Sequence, residues 1–288
     1  MKFSAKDIVI LDDESLRVYQ MELLKIAKDV VNVFDEQNLE YSLSGGSILG
    51  AIRHKGFIPW DDDIDFNITR KSYNKFLKLF DEELGSKYYI QTPQNHPQLG
   101  IMVTQIREKG TVARRKYDWN QKECGVSIDL YIMENVFENS FKRVIQKNMS
   151  MLCSFAISAI RYTNNKKLPK EIKLLERRKI HYSFFKTSLG NVLNIVPLRK
   201  WIKWCNYWNS LCVDDDSRYI SIPTGRKHFS GEIYERTKMC NFIKVTFENE
   251  KFNVPEWYDG YLKTFYGDYM KMPPADKHEK HLFLELKF

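Results

Sequence analysis

Between Ser42 and Phe66 the chain sets a Gly-Gly-Ser turn, Gly45-Gly46-Ser47, ahead of the acidic string Asp63-Ile64-Asp65. Tyr41 and Leu43 alternate with Ser42 and Ser44 as in a half-buried strand, and the paired glycines break it. Ser47 to Arg53 then reads as a short helix whose first backbone amides would face an anion. Asp63 to Asn67 reads as the next strand. Side chains alternate faces along a strand, so Asp63 and Asp65 would project together, roughly 7 Å apart, while Ile64 enters the core. Two carboxylates so placed can share one divalent cation. Hard cations such as Mg²⁺ or Mn²⁺ take oxygen ligands and keep positions for substrate phosphates, so the pattern points to metal-assisted phosphate chemistry.

A third acid repeats the pattern. In Val126 to Tyr131, Ile128 and Leu130 would be buried with Asp129 on the opposite face. Asp129 can join the other two only if its strand neighbours theirs, which the sequence leaves open. Upstream, Leu16, Tyr19, Leu23, Ile26, Val30 and Phe34 recur at helical spacing behind Asp12 and Asp13, so a core helix is expected over about residues 13 to 38. Thr69 suits the cap of a helix running to about Phe80, with strands near residues 88–92 and 101–107. Interleaved strands and helices make this a mixed α/β chain.

At 288 residues and 43% hydrophobic content, the chain can bury a large core. Five cysteines, odd in number and with no Cys-x-x-Cys pair, argue against a disulfide framework or a zinc knuckle and fit a reducing cytoplasm. Met1 to Leu11 holds too short an apolar run for a signal peptide, and Met149 to Ile160 is too short to span a bilayer, so no integral anchor is expected. The net charge of +8 is uneven: residues 131–210 hold fifteen Lys or Arg against four Glu and no Asp. Basic, aromatic-rich helices there either face an anionic surface or are simply solvated. Leu198, Ile202, Cys205, Trp208 and Cys212 keep helical spacing beside Arg199, Lys200 and Lys203, which suits a helix lying on anionic membrane. Met149 to Ile160 suits a satellite core. The expected organisation is a catalytic core over 1–135, a basic helical insertion over 136–212 and a segment over 213–288 that completes the core.

Other chemistries lack their residues. Asp61, Asp63 and Asp65 match the start of a calcium-binding helix-loop-helix, but Phe66 stands where that loop needs Gly and Ser72 where it needs Glu. There is no phosphate-binding Gly-Lys-Ser/Thr loop, no His-Glu-x-x-His and no Gly-x-Ser-x-Gly elbow. A glycosyltransferase Asp-x-Asp and a non-catalytic nucleotide- or membrane-binding protein remain as competing readings. Arg53 and Lys55 follow the glycine turn and are candidates to neutralise a diphosphate, Arg53 the stronger; Asp61 shares the phase of the two acids; Trp60 either stacks on a ligand or packs beside Pro59.

The string from Leu43 through Gly45-Gly46-Ser47, Arg53-His54-Lys55-Gly56, Pro59-Trp60 and Asp61-Asp62-Asp63-Ile64-Asp65 closely resembles the LicD family of the nucleotidyltransferase-fold superfamily. Val254-Pro255, Tyr261-Leu262, Tyr266-Gly267-Asp268-Tyr269-Met270 and Pro273-Pro274 resemble that family's C-terminal signature, although Ile-Met follows Tyr131 where relatives often place a Pro. The resemblance implies a nucleotidyltransferase-like sheet with flanking helices. It implies transfer of phosphocholine or a polyol phosphate from a CDP-linked donor to a glycan hydroxyl, with Asp63, Asp65 and Asp129 at the metal and Gly45, Gly46 and Ser47 lining the donor phosphates. No nucleic-acid partner is expected. The acceptor would be lipid-linked, which would place the enzyme at the inner face of the membrane.

Overall fold

The computed structural model describes residues 9–164, 184–274, 278 and 282–288. Asp12 accepts a hydrogen bond from the Ser15 N–H at 2.8 Å and so caps α1, Asp13–Glu36. All six residues of its expected stripe, Leu16 to Phe34, are buried. Phe34 packs edge-on against Phe66 and Phe76, with ring centroids 6.4 and 5.0 Å apart. Truncating such a residue to Ala costs about 3–5 kcal/mol, so α1 is a main support of the sheet behind it.

The chain continues through β1 (Tyr41–Leu43), α2 (Gly45–Leu49), β2 (Asp65–Thr69) and α3 (Arg70–Glu83), then β3 (Tyr88–Gln91), β4 (Thr104–Glu108), β5 (Val112–Arg114) and β6 (Ser127–Val136). Thr69 caps α3 as expected, its hydroxyl accepting from the Ser72 N–H. Three helices follow among the described residues, α4 (Ser140–Asn164), α5 (Phe184–Leu193) and α6 (Leu198–Asn209). The last part contains β7 (Tyr219–Ser221), β8 (Ile233–Glu235), β9 (Phe242–Phe247), β10 (Glu250–Pro255), α7 (Tyr258–Tyr266) and β11 (Glu285–Lys287).

The main sheet runs β1-β2-β6-β4-β3, with β7 paired to the far end of β6 and β8 to β7. Its strands are mixed: β2 and β6 are parallel and the other pairs antiparallel. The parallel pair supplies the adjacency that the sequence left open, because its register sets Asp65 opposite Asp129. Helices flank this mixed sheet, a mixed α/β architecture.

Two local expectations need correction. The strand begins at Asp65, and Asp63 lies in the irregular segment before it. That segment is held by other means: the buried Gln20 amide of α1 donates to the Asp61 carbonyl at 2.9 Å, and pairing with the first edge starts only where the Ser44 N–H reaches the Asp65 carbonyl. The short helix begins at Gly45, earlier than expected, and widens into a π-helical turn at Gly50–His54 before Lys55 ends it in the left-handed region, φ 59°.

In the helical region Cys153 and Ile157 of α4 meet Ile202 and Cys205 of α6, with Leu198, Trp201 and Trp208 packed around them. The apolar faces at Met149–Ile160 and Leu198–Trp208 therefore cover each other in a second small core. The Leu198–Cys212 stripe is turned inward, away from any lipid, because a side-by-side helix pair buries both stripes at once. All five cysteines are unpaired. Among the described residues no helix is long and apolar enough to cross a membrane.

Candidate active site

A cleft of about 660 Å³ opens above the start of α2 and β2. Its lining includes Ser44, Gly45 and Gly46 with Asp61, Asp63 and Asp65, the side chains of Arg53 and Trp60, and Tyr131, Arg226, Glu232, Tyr261 and Tyr266 from later in the chain. Both glycines are demanded by this geometry. Gly45 has φ +49°, which L side chains rarely adopt, and a Cβ on Gly46 would lie 3.1 Å from the Asp61 Oδ2. The Gly45 N–H donates to the Tyr261 hydroxyl at 3.3 Å, so this amide is used to dock α7 rather than turned to an anion.

Ser47 and Lys55 are not brought to the cleft. Ser47 is 5% exposed, and its Oγ accepts from the Asp65 N–H at 2.9 Å, pinning the start of β2 from behind. Lys55 is exposed, and its N–H closes the turn onto the Gly50 carbonyl. Arg53 does line the cleft, with its guanidinium donating to the Tyr269 carbonyl at 2.7 Å and its Nε to His54 Nε2 at 2.8 Å. Trp60 stacks on His278, centroids 3.4 Å apart and planes 2° from parallel, at the edge of the cleft. His281 lies outside the described residues.

The acids are crowded. Carboxylate oxygens of Asp61, Asp62 and Asp63 all lie within 4.8 Å of one another, and Asp65 and Asp129 stand on adjacent strands beside them. Burial holds the Asp65 carboxyl well above the usual carboxylate range, reinforced by the charges of Asp63, Asp129 and Asp61. Asp61 is raised in the same way, by burial first and then by Asp63 and Asp62. An all-oxygen group of like charges partly out of water suits a hard divalent cation, whose charge would offset both penalties. Asp62, 4% exposed, was hidden in the sequence because strict alternation sends it to the other face.

Arg115 serves that inner side. Its guanidinium donates to the Asp62 carbonyl at 3.3 Å. Burial would lower its pKa, but the Tyr19 phenol and the carboxylates of Asp62, Asp63 and Asp129 outweigh this and raise it, so the cation persists inside the fold. Gln105, on β4, was also missed. Its Nε2 donates to Asp129 Oδ1 at 2.8 Å, while its Oε1 accepts from Gln91 at 3.0 Å and Arg107 at 2.7 Å. Those two donors fix which end of the amide faces Asp129. Arg107 is itself held by the buried Asp118 at 3.2 Å. No local sequence signal marks Arg115 or Gln105, since Gln105 reaches Asp129 from the neighbouring strand and Arg115 reaches Asp62 from the segment after β5.

Later segments of the chain add aromatic and charged groups. Tyr131 is raised by the charge of Asp65 and then by burial, and Tyr266 by burial, with Arg226 opposing. Glu232 accepts from the Lys227 N–H at 2.7 Å, yet burial pushes its carboxyl up to about 7 from 4.5. The folded protein thus binds the extra proton between pH 4.5 and about 7, and stability contributed below pH 4.5 is lost as pH rises through that window. Glu232→Gln, which cannot ionise, is expected to gain on wild type by roughly 3 kcal/mol between pH 4.5 and 7.5 and no further above it. Thermal unfolding of both proteins across this range checks it, and a stability difference that stays constant with pH would show Glu232 ionising normally.

Residues 38–160 match the family model LicD/FKTN/FKRP, nucleotidyltransferase domain, a span that includes all five acids. The chain is 27% identical over 273 residues to the lipopolysaccharide cholinephosphotransferase LicD of Haemophilus influenzae, covering 93% of this chain and 96% of that protein. It is 41% identical over 64 residues to the human ribitol 5-phosphate transferase FKRP, covering 22% of this chain and 13% of that protein. A stretch of 86 residues is 36% identical to the uncharacterized protein RP689 of Rickettsia prowazekii, covering 27% of this chain and 32% of that protein.

Proposed function

We propose that this chain, which matches the LicD family model over residues 38–160, transfers a phospho-alcohol, phosphocholine or a similar polyol or amino-alcohol phosphate, from a CDP-linked donor to a glycan hydroxyl, releasing CMP. The observation that carries this reading is the parallel register of Asp65 with Asp129 beside a cleft lined by Asp63, Gly45 and Gly46. Asp63 and Asp65 hold Mg²⁺ or Mn²⁺, with Asp61 as a neighbouring oxygen donor. When bound, the cation supplies charge neutralisation for the donor diphosphate.

The chain's own groups account for the rest. Arg53, with Arg226 also in the cleft lining, neutralises charge gathering on the departing CMP. Asp129 orients the acceptor hydroxyl and takes its proton as the new P–O bond forms and the bridging P–O bond to CMP breaks, in line. Trp60, stacked on His278, closes one edge of the site. The acceptor is a lipid-linked glycan precursor met at the inner membrane face.

The test is a panel of CDP-alcohols, nucleotide sugars and nucleoside triphosphates given to the purified protein with divalent metal, with and without glycan acceptors, following nucleotide release. Acceptor-dependent CMP release from at least one CDP-alcohol is expected, and it should stop in excess chelator. Turnover confined to nucleotide sugars or triphosphates would overturn the reading.

A further inference from the structure

The outward face of α4 is unlike the rest of the surface. Phe141, Val144, Ile145, Met151, Leu152 and Phe155 are all exposed, Phe141 at 72%, Leu152 at 50% and Phe155 at 43%. At 100° per residue they fall on one side of the helix, opposite the face that Cys153 and Ile157 bury against α6. From Phe141 to Phe155 the stripe is about 21 Å long at 1.5 Å per residue. Single exposed apolar residues are ordinary, whereas a stripe of six, interrupted by Asn148 alone, marks a surface that meets something apolar.

The charges around it identify the occupant. Helices α4, α5 and α6 together hold eight Lys or Arg and not one Asp or Glu. Lys142 and Lys147 flank the stripe on α4 itself. A second copy of the chain seated on this stripe would bring two cation-only faces together. An anionic lipid surface offers the opposite charge and an apolar interior for the stripe.

We infer that the outer face of α4 is a lipid-docking surface, seated by Phe141 to Phe155 and steered by Lys142 and Lys147 onto anionic phospholipid. Helix α4 therefore has two uses: its inner stripe holds it to α6, and its outer face holds the protein to a bilayer without crossing it. The inference does not depend on the reaction proposed for the cleft, which lies on other elements.

The experiment is co-sedimentation of the full chain with vesicles of phosphatidylglycerol and phosphatidylcholine in equal parts, against pure phosphatidylcholine. Wild type is expected to sediment with the anionic vesicles at low ionic strength and to be released near 1 M salt, where the Debye length is about 3 Å. Leu152→Ser with Phe155→Ser should weaken binding at least about tenfold without altering the thermal unfolding curve, since both side chains are exposed. Lys142→Glu with Lys147→Glu should do likewise. Absence of wild-type binding at low salt, equal binding by the Ser variant, or equal binding to the uncharged vesicles overturns the proposal. So does a wild-type dimer in sedimentation velocity that the Ser variant dissociates.

Discussion

Asp65→Asn and Asp63→Asn are each expected to lower CMP release by at least about a hundredfold while leaving the fold as stable as wild type or more so. The rate loss follows from removing a negative oxygen where the proposed cation would sit, since an amide is a poorer ligand and one well-placed electrostatic group is worth on the order of a hundredfold or more. The stability expectation follows from the same crowding. Asp65 is raised by burial and by Asp63, Asp129 and Asp61, so a neutral amide removes repulsion from the metal-free protein. Added Mg²⁺ should in turn raise the unfolding temperature of wild type more than that of either variant, because only a ligand bound to the native state stabilises it. Parallel measurements of CMP release and thermal unfolding, with and without metal, separate a site residue from a structural one. Near-normal rates in both variants, or full wild-type activity in excess EDTA, would remove the metal assignment.

What could be read from the sequence was what repeats locally. The stripe of α1 follows the helical period through Leu16 and Phe34, and Thr69 caps α3 by a contact three residues long. The glycine turn was legible too, but its neighbours were over-read. On a helix only residues near the same angle share a face, so Gly45, Gly46, Leu49 and Arg53 reach the cleft while Ser47 and Lys55 turn away from it. The extent of β2 was misjudged because the boundary is set from outside, by Gln20 of α1 and by pairing at Ser44. Pairing of β2 with β6 had no local signal at all, and neither had Glu232 and Arg226, which the chain returns to the cleft from far downstream. Tyr266-Gly267-Asp268 was visible only as part of the C-terminal signature, and the structure ends α7 there and carries Tyr266 and Asp268 into the lining of the cleft.

Asp129 separates donor binding from transfer. It stands one strand away from Asp65, and Gln105 holds its Oδ1 with a donor whose orientation is fixed by Arg107 and Gln91. In Asp129→Asn the amide oxygen can keep that hydrogen bond, so the side chain should hold its place and lose only its charge and its capacity to accept a proton. Donor binding, which draws on Asp63, Asp65 and the cationic side chains of the cleft, should then change by no more than about threefold. Transfer should fall by about a hundredfold or more, the usual range for losing a positioned general base. The comparison is calorimetric affinity for the CDP-alcohol, with metal present, against the maximal rate of transfer to acceptor in the same protein preparations. A proportional loss of both would make Asp129 a donor or metal ligand with no separate role toward the acceptor, because a group that acts only on the incoming hydroxyl cannot weaken a donor bound before the hydroxyl arrives.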